Sequence, residues 1–346
     1  MIRVRQVKIN IKDNNLKKKI SNILHVKEED IIDYKIIKES IDSRHKPDIF
    51  YVYEIDVALK DENNIKFNKD IFVSPKEEYE YYYNLIINAP KTEGFITKLY
   101  SPENSNDIKA GERCFYTHEN ALILDTYISI IHSQCPDNIK PFFLAPLMSE
   151  ASIHANTSGV FKGFYKNTSG IGQWGGQGRN ALSRICGEIT LKRPVFSSYD
   201  CEKEILQFDT TKMNNNINCD LAYLDPPYNQ HPYGSNYFML NLIATYKEPE
   251  KISTVSGIPN DWNHSDFNKK ATACQSLKKS LEKIKAKEYI ISYNNEGFIT
   301  YDEMVSLLEA YGEVGVITED YPTFRGCRNL NNRALHTKEY LFCVKN

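Results

Sequence analysis

The stretch that most constrains this chain is Cys219-Asp220-Leu221-Ala222-Tyr223-Leu224-Asp225-Pro226-Pro227-Tyr228-Asn229. The run CDLAYL reads as a buried parallel strand opened by an acidic residue. Two consecutive prolines cannot continue a hydrogen-bonded ladder, so the strand must stop and present its last residues at the carboxyl edge of its sheet. In open α/β sheets that edge is where ligands bind. A carboxylate, backbone carbonyls stiffened by proline and an aromatic ring then share one spot. Asp225 and the Pro226 carbonyl are acceptors without competing donors, suited to an NH2 group, and Tyr228 offers a face for stacking. The set suits a flat base carrying an exocyclic amine. Taken alone, Asp-Pro-Pro-Tyr is also an ordinary turn; the strand before it and the tail after it weigh against that.

A chain of 346 residues is long enough for one large or two ordinary domains with a substantial core. The net charge of −2 gives no global signature of a nucleic-acid binder. Residues 1–76 carry 16 Lys+Arg against 13 Asp+Glu, leaving 27 against 32 in the remainder. Affinity for a polyanion must therefore come from a local basic groove. No uninterrupted apolar run has the length needed to span a bilayer, and MIRVRQVKIN lacks a signal-peptide core. The eight cysteines are scattered, without a CxxC pair or zinc-type spacing. Reduced thiols in a cytoplasmic protein and no structural metal are the expectation.

Composition shifts at Ser74-Pro75-Lys76-Glu77-Glu78, which divides residues 1–76 from 77–346. In the first part, Ile2 and Val4 against Val7 and Ile9 predict a strand with a register irregularity. Leu16, Ile20 and Leu24 predict a helix over 15–25, and 33–43 and 49–59 read as strands. Lys17-Lys18-Lys19 reads as a solvated helix face. In the second part, GFITKLYSPENSNDIKAGERCFYTHENA reads as a polar loop. Ala121, Leu124, Ile128 and Ile131 place a helix over 119–133, and residues 140–155 give one helix or two broken at Pro146. The Gly-, Ser-, Thr- and Asn-rich insert 156–180 carries Lys162, Lys166, Trp174 and Arg179 and is the candidate DNA-facing loop. Pro194–Asp200 reads as a strand ending in an acid. After the Asp-Pro-Pro-Tyr run come a helix over 276–286, a strand over 287–294 with a polar end near the cleft, a helix over 301–311, and strands over 313–319 and 338–344. Arg325, Arg328 and Arg333 lie in the last loop as candidate phosphate contacts. The alternation predicts a doubly wound parallel sheet.

Asp225-Pro226-Pro227-Tyr228 resembles the motif of the DNA adenine-N6 methyltransferases. Its continuation, Asn229-Gln230-His231-Pro232-Tyr233-Gly234-Ser235-Asn236-Tyr237-Phe238-Met239-Leu240-Asn241, resembles one restriction-modification branch of that family. GFITKLYSP, ERCFYTHENA and FFLAPLMSEASIHANTSGVFKGFYK extend the resemblance from about residue 79 onward. It implies methyl transfer from S-adenosylmethionine to adenine N6 in double-stranded DNA. Asp225, Pro226, Pro227 and Tyr228 would be catalytic, with the Asp225 carboxylate and the Pro226 carbonyl orienting the amine. A methyl sulfonium is already a strong electrophile, so Asp225 need not remove a proton before attack. Asp200, alternatively a helix N-cap, and Asp225 would contact the cofactor. Lys162, Lys166, Arg179, His231 and Tyr233 are expected at the DNA.

Such enzymes carry an F-x-G-x-G loop after their first strand, and none occurs in this chain. The glycines at 170–178 are not preceded by a convincing strand. The implied fold is therefore an incomplete Rossmann-like sheet behind a small α+β, ferredoxin-like module. YKIIKESIDSRHKPDIFYVYEIDVAL resembles the N-terminal module of bacterial FAD-dependent dehydrogenases, yet no strand with a nucleotide fingerprint follows it. The partners implied are DNA and either a cognate restriction endonuclease or a subunit supplying the cofactor loop. The alternative function is an inactive methylase relic or subunit that binds DNA or a partner. Methylation of an RNA base or a protein glutamine is a third reading, which Asp rather than Asn at 225 disfavours.

Overall fold

The computed structural model describes residues 1–346 apart from 14, 43, 45–48, 179–180, 195–200, 323–335 and 346, and the side chains of 73 and 75–77. The chain forms two compact units. One comprises Met1–Ala89 with Cys135–Ile139, the other Pro90–Gln134 with Lys140–Asn346.

In the first unit, β1 (Ile2–Asn10), α1 (Leu16–Leu24), β2 (Ile31–Asp42), β3 (Phe50–Leu59) and β4 (Ile71–Val73) are followed by α2 (Pro75–Ile87). The strands form one antiparallel sheet in the order β2-β3-β1-β4. Ile2 and Val4 face the core on one alternation, Val7 on the other. A two-residue period cannot do this, so the register slips between Val4 and Val7, with Gln6 at φ 55° absorbing the extra residue. Ile20 and Leu24 of α1 close the core, and Asn15 caps the helix by accepting from the Lys18 N–H.

The second unit opens with α3 (Phe95–Tyr100), α4 (His118–Gln134), α5 (Lys140–Ile153) and α6 (Leu182–Ile185). Helix α3 stands where local composition predicts a polar loop. Its first-turn N–H groups are satisfied by a residue of another helix, Asp125 of α4, which local sequence does not reveal. The stripe Ala121, Leu124, Ile128 and Ile131 is fully buried. Helix α5 is continuous through Pro146, with Phe143 and Leu147 buried beside it.

Next come β5 (Ile217–Leu224), α7 (Tyr233–Asn236), α8 (Phe238–Thr245), α9 (Ala273–Lys283), β6 (Ile284–Asn294), α10 (Tyr301–Leu308), β7 (Glu313–Pro322) and β8 (His336–Lys345). Their sheet has the order β5-β6-β8-β7. β5 and β6 are parallel, whereas β8 is antiparallel to both β6 and β7. The expectation of a wholly parallel sheet is thus corrected: the sheet is mixed, with β8 running against its neighbours. An antiparallel pair needs no crossover helix, and β7 and β8 pair from Glu313↔Lys345 to Pro322↔His336. Leu277 and Leu281 of α9, Met304 and Leu308 of α10, and Tyr289, Ile291, Phe342 and Val344 of the sheet make one buried cluster. Among the described residues no helix is long and apolar enough to cross a membrane, and no group of three His, Cys, Asp or Glu could hold a metal ion.

Candidate active site

β5 stops at Leu224, and the next four residues lie at its carboxyl end. Asp225 is exposed, Pro226 is buried, and Pro227 and Tyr228 are half-buried. The backbone beyond the prolines is pinned from two sides. The Tyr228 carbonyl accepts from Phe298 N–H (2.8 Å) and Tyr293 Oη (3.3 Å), and the Asn229 carbonyl from Asn268 Nδ2 (2.7 Å). The Tyr228 ring stands edge-on to Tyr293 of β6, centroids 6.3 Å apart at 78°. Burial holds its phenol above the usual range. The carboxylates of Glu339, Glu296 and Asp225 add to this, while a hydrogen bond with Asn294 opposes it. The ring is thus a neutral aromatic face fixed by main-chain contacts on either side.

Two cavities meet at this turn. One, of about 510 Å³, is lined by Pro227, Tyr228, Tyr233, Asn236, Asn294 and Glu339, with Lys162 and His231 at its side. The other, of about 700 Å³, is lined by Asp225, Pro226 and Pro227, with Tyr223 of β5, Phe208 and His264. Pro227 belongs to both. The Asp225 charge raises the phenols of Tyr228 and Tyr233, each shifted first by burial, so it is felt in the first cavity as well. Pro227 therefore stands between two spaces, with Asp225 and Pro226 lining the second.

Of the residues expected at DNA, Lys162, His231 and Tyr233 come together at the first cavity, where Lys162 Nζ lies 3.4 Å from His231 Nδ1. Lys166 does not join them. Its ammonium sits 4.9 Å over the Phe164 ring, a cation–π contact within the insert. The Trp174 indole N–H donates to the Ser105 carbonyl at 2.7 Å. Arg179, Asp200, Arg325, Arg328 and Arg333 lie outside the described residues. The insert is anchored by Asn156, fully buried, whose Nδ2 donates to the Cys114 and Gln173 carbonyls while its Oδ1 accepts from Gly175 N–H. Gly170, Gly172 and Gly175 do fall at G-x-G-x-x-G spacing. They sit in irregular backbone, Gly172 in an isolated bridge to Lys166, with neither a strand before them nor a helix directly after among the described residues. That is no nucleotide fingerprint. Sequence reading missed Asn236 and Glu339; the polar end it noted on β6 is Asn294, which the fold brings to the cavity.

A family model described as D12 class N6 adenine-specific DNA methyltransferase matches residues 76–307. The chain belongs to this family. It is 30% identical over 260 residues to the type II methyltransferase M.CviAII of Paramecium bursaria Chlorella virus 1, covering 72% of this chain and 70% of the relative. It is 26% identical over 264 residues to M.NlaIII of Neisseria lactamica, covering 74% and 73%. Modification methylase StsI of Streptococcus sanguinis is 27% identical over 282 residues, 78% of this chain and 39% of the relative. For this N6-adenine methyltransferase family member, the alternative reading, an inactive relic or subunit that only binds DNA or a partner, is not favoured. Residues 1–58 match a domain of unknown function, DUF8436, and the dehydrogenase resemblance gains no support.

Proposed function

We propose that this chain forms the adenine-holding side of a restriction-modification DNA methyltransferase acting at adenine N6. The observation that carries the reading is the Asp225-Pro226-Pro227-Tyr228 turn where two cavities meet, Pro227 lining both. In this reading the target adenine is flipped out of double-stranded DNA, because its amine is out of reach within the stack. The base enters the 510 Å³ cavity and stacks on Tyr228. Asp225 and the Pro226 carbonyl accept the two amine protons, which draws electron density onto N6 and turns its lone pair away from ring conjugation. Lys162 and His231 stand where a phosphate beside the flipped nucleotide would pass.

S-adenosylmethionine is the donor that the family implies, and Asp225 and Asp200 are its candidate contacts. The described residues do not enclose it. Among the described residues no glycine-rich turn follows a strand, and β5 pairs with β6 alone. Its Leu221 and Tyr223 are 53% and 61% exposed, and Phe208 beside the second cavity is 47% exposed. A strand that is interior in a doubly wound sheet would be covered there. The reading therefore assigns the donor wall to another subunit lying along the edge of β5 that no described residue pairs, with a cognate endonuclease as the further partner. Within it, the β5-β6-β8-β7 sheet is half of a Rossmann-like methyltransferase sheet. The β2-β3-β1-β4 unit is a ferredoxin-like module spanning residues 1–76.

A pool of random duplexes with one central 2-aminopurine, partitioned on the immobilised protein, tests base capture whatever the recognition sequence. The bound fraction should fluoresce several-fold more strongly than the input, as an unstacked base does. Bound DNA with unchanged fluorescence would overturn the reading. In calorimetry, S-adenosylmethionine should not bind this chain at micromolar concentration, with or without DNA. Micromolar binding would refute the assignment of the donor wall to a second subunit.

A further inference from the structure

Asn236 holds a polar atom that no described residue satisfies. The residue is 8% exposed, and its Oδ1 is buried without a hydrogen-bond partner among the described residues. Folded proteins rarely leave such an acceptor empty. Its backbone is fully engaged: Asn236 N–H donates to the Pro232 carbonyl at 3.0 Å, and its carbonyl accepts from Phe161 N–H at 2.7 Å. These bonds fix Asn236 between α7 and the insert, where it is one of the residues lining the 510 Å³ cavity, together with Tyr228. The side chain is therefore held for something that enters the cavity.

We infer that Asn236 is the residue that selects adenine in this pocket, by pairing its carboxamide with the N6–N7 edge of the base. The inference rests on the base-pocket reading. A carboxamide presents an acceptor and a donor side by side, and adenine presents N6–H and N7 in the complementary order. Oδ1 joins the Pro226 carbonyl on the amine proton nearest N7, a three-centre arrangement, while Nδ2 donates to N7. The other amine proton is left for Asp225. Guanine, with acceptors at both O6 and N7, turns Oδ1 against a like atom. Asn236 thus supplies the discrimination that Tyr228 cannot, since a stacking ring accepts any base.

The test uses a duplex recovered by selection from the random pool, with adenine, 7-deazaadenine or purine at the target position. The wild-type protein should bind the adenine duplex roughly tenfold more tightly than either analogue, the scale of a bidentate base contact. Asn236→Leu, close in volume and apolar, should lose the preference for adenine over 7-deazaadenine and narrow that over purine, whose missing amine Asp225 and the Pro226 carbonyl still detect, and should unfold at the wild-type temperature or above it, because it removes an unsatisfied buried acceptor. Asn236→Asp should still distinguish adenine from purine but no longer from 7-deazaadenine. Unaltered discrimination by Asn236→Leu, or a lowered unfolding temperature, would show a merely structural asparagine and overturn the inference. A wild-type protein indifferent to all three bases would instead overturn the base-pocket reading itself.

Discussion

Asp225→Ala is expected to remove detectable methyl transfer in the assembled enzyme, a loss of roughly 10³-fold or more, while leaving the unfolding temperature unchanged. The two halves of that expectation have separate physical grounds. Asp225 is exposed and makes no hydrogen bond or ion pair among the described residues, so the folded chain loses nothing when its side chain is cut back. The turn is held instead by backbone contacts to Phe298, Tyr293 and Asn268, none of which involves the carboxylate. The amine, by contrast, is a weak nucleophile while its lone pair is conjugated with the ring. Holding both protons in acceptors at fixed positions is what orients that lone pair. With the carboxylate gone, the second amine proton has no acceptor, and the amine can rotate out of line. The check is labelled methyl transfer to unmethylated DNA alongside thermal denaturation of the same preparation. Wild-type transfer by the variant would sink the assignment of Asp225, and a large drop in unfolding temperature would make any loss of activity uninformative about chemistry.

The same contrast between local and distant causes explains what could be read from the sequence. The β1 irregularity was legible because the apolar positions themselves change phase between Val4 and Val7, and only a bulge keeps both sets in the core. The α4 stripe was legible because four buried residues repeat at helical spacing. The direction of β8 was not, since side-chain alternation is the same in parallel and antiparallel strands. Nor was the fate of Lys166. A lysine in a glycine-rich insert looks like a phosphate contact until the fold sets Phe164 beneath it. Lys162 shares that composition but lies opposite His231, a neighbour 69 positions away in sequence. At the site, Asp225 to Tyr228 announce themselves because prolines end a strand. Asn236 sits inside a tail of ordinary polar and aromatic residues, and only its missing partner marks it out.

Helix α3 is the clearest case of structure dictated from a distance, and it yields the second large effect. Asp125→Ala is expected to destabilise the protein by about 3–5 kcal/mol, the cost of stripping a buried charged acceptor from its donors. Asp125 is 1% exposed. Its Oδ2 accepts from Gly94 N–H (3.0 Å), Thr97 N–H (2.7 Å) and Thr97 Oγ1 (2.7 Å), and its Oδ1 from Ile96 N–H (3.2 Å) and Tyr246 Oη (3.3 Å). One carboxylate thus satisfies the opening turn of α3 and complements the positive end of its dipole. Close approach is what makes Gly94 necessary: a Cβ there would lie 2.5 Å from Asp125 Oδ1. Alanine at 125 leaves three N–H groups and two hydroxyls without this acceptor in a buried site. A total folding free energy of roughly 5–15 kcal/mol makes such a loss a large fraction of the whole. Chemical denaturation should show a lower midpoint with an unchanged slope, because surface exposed on unfolding is the same. A midpoint shift worth less than about 1 kcal/mol would mean that α3 finds other acceptors, and that Asp125 is not what holds this helix in place.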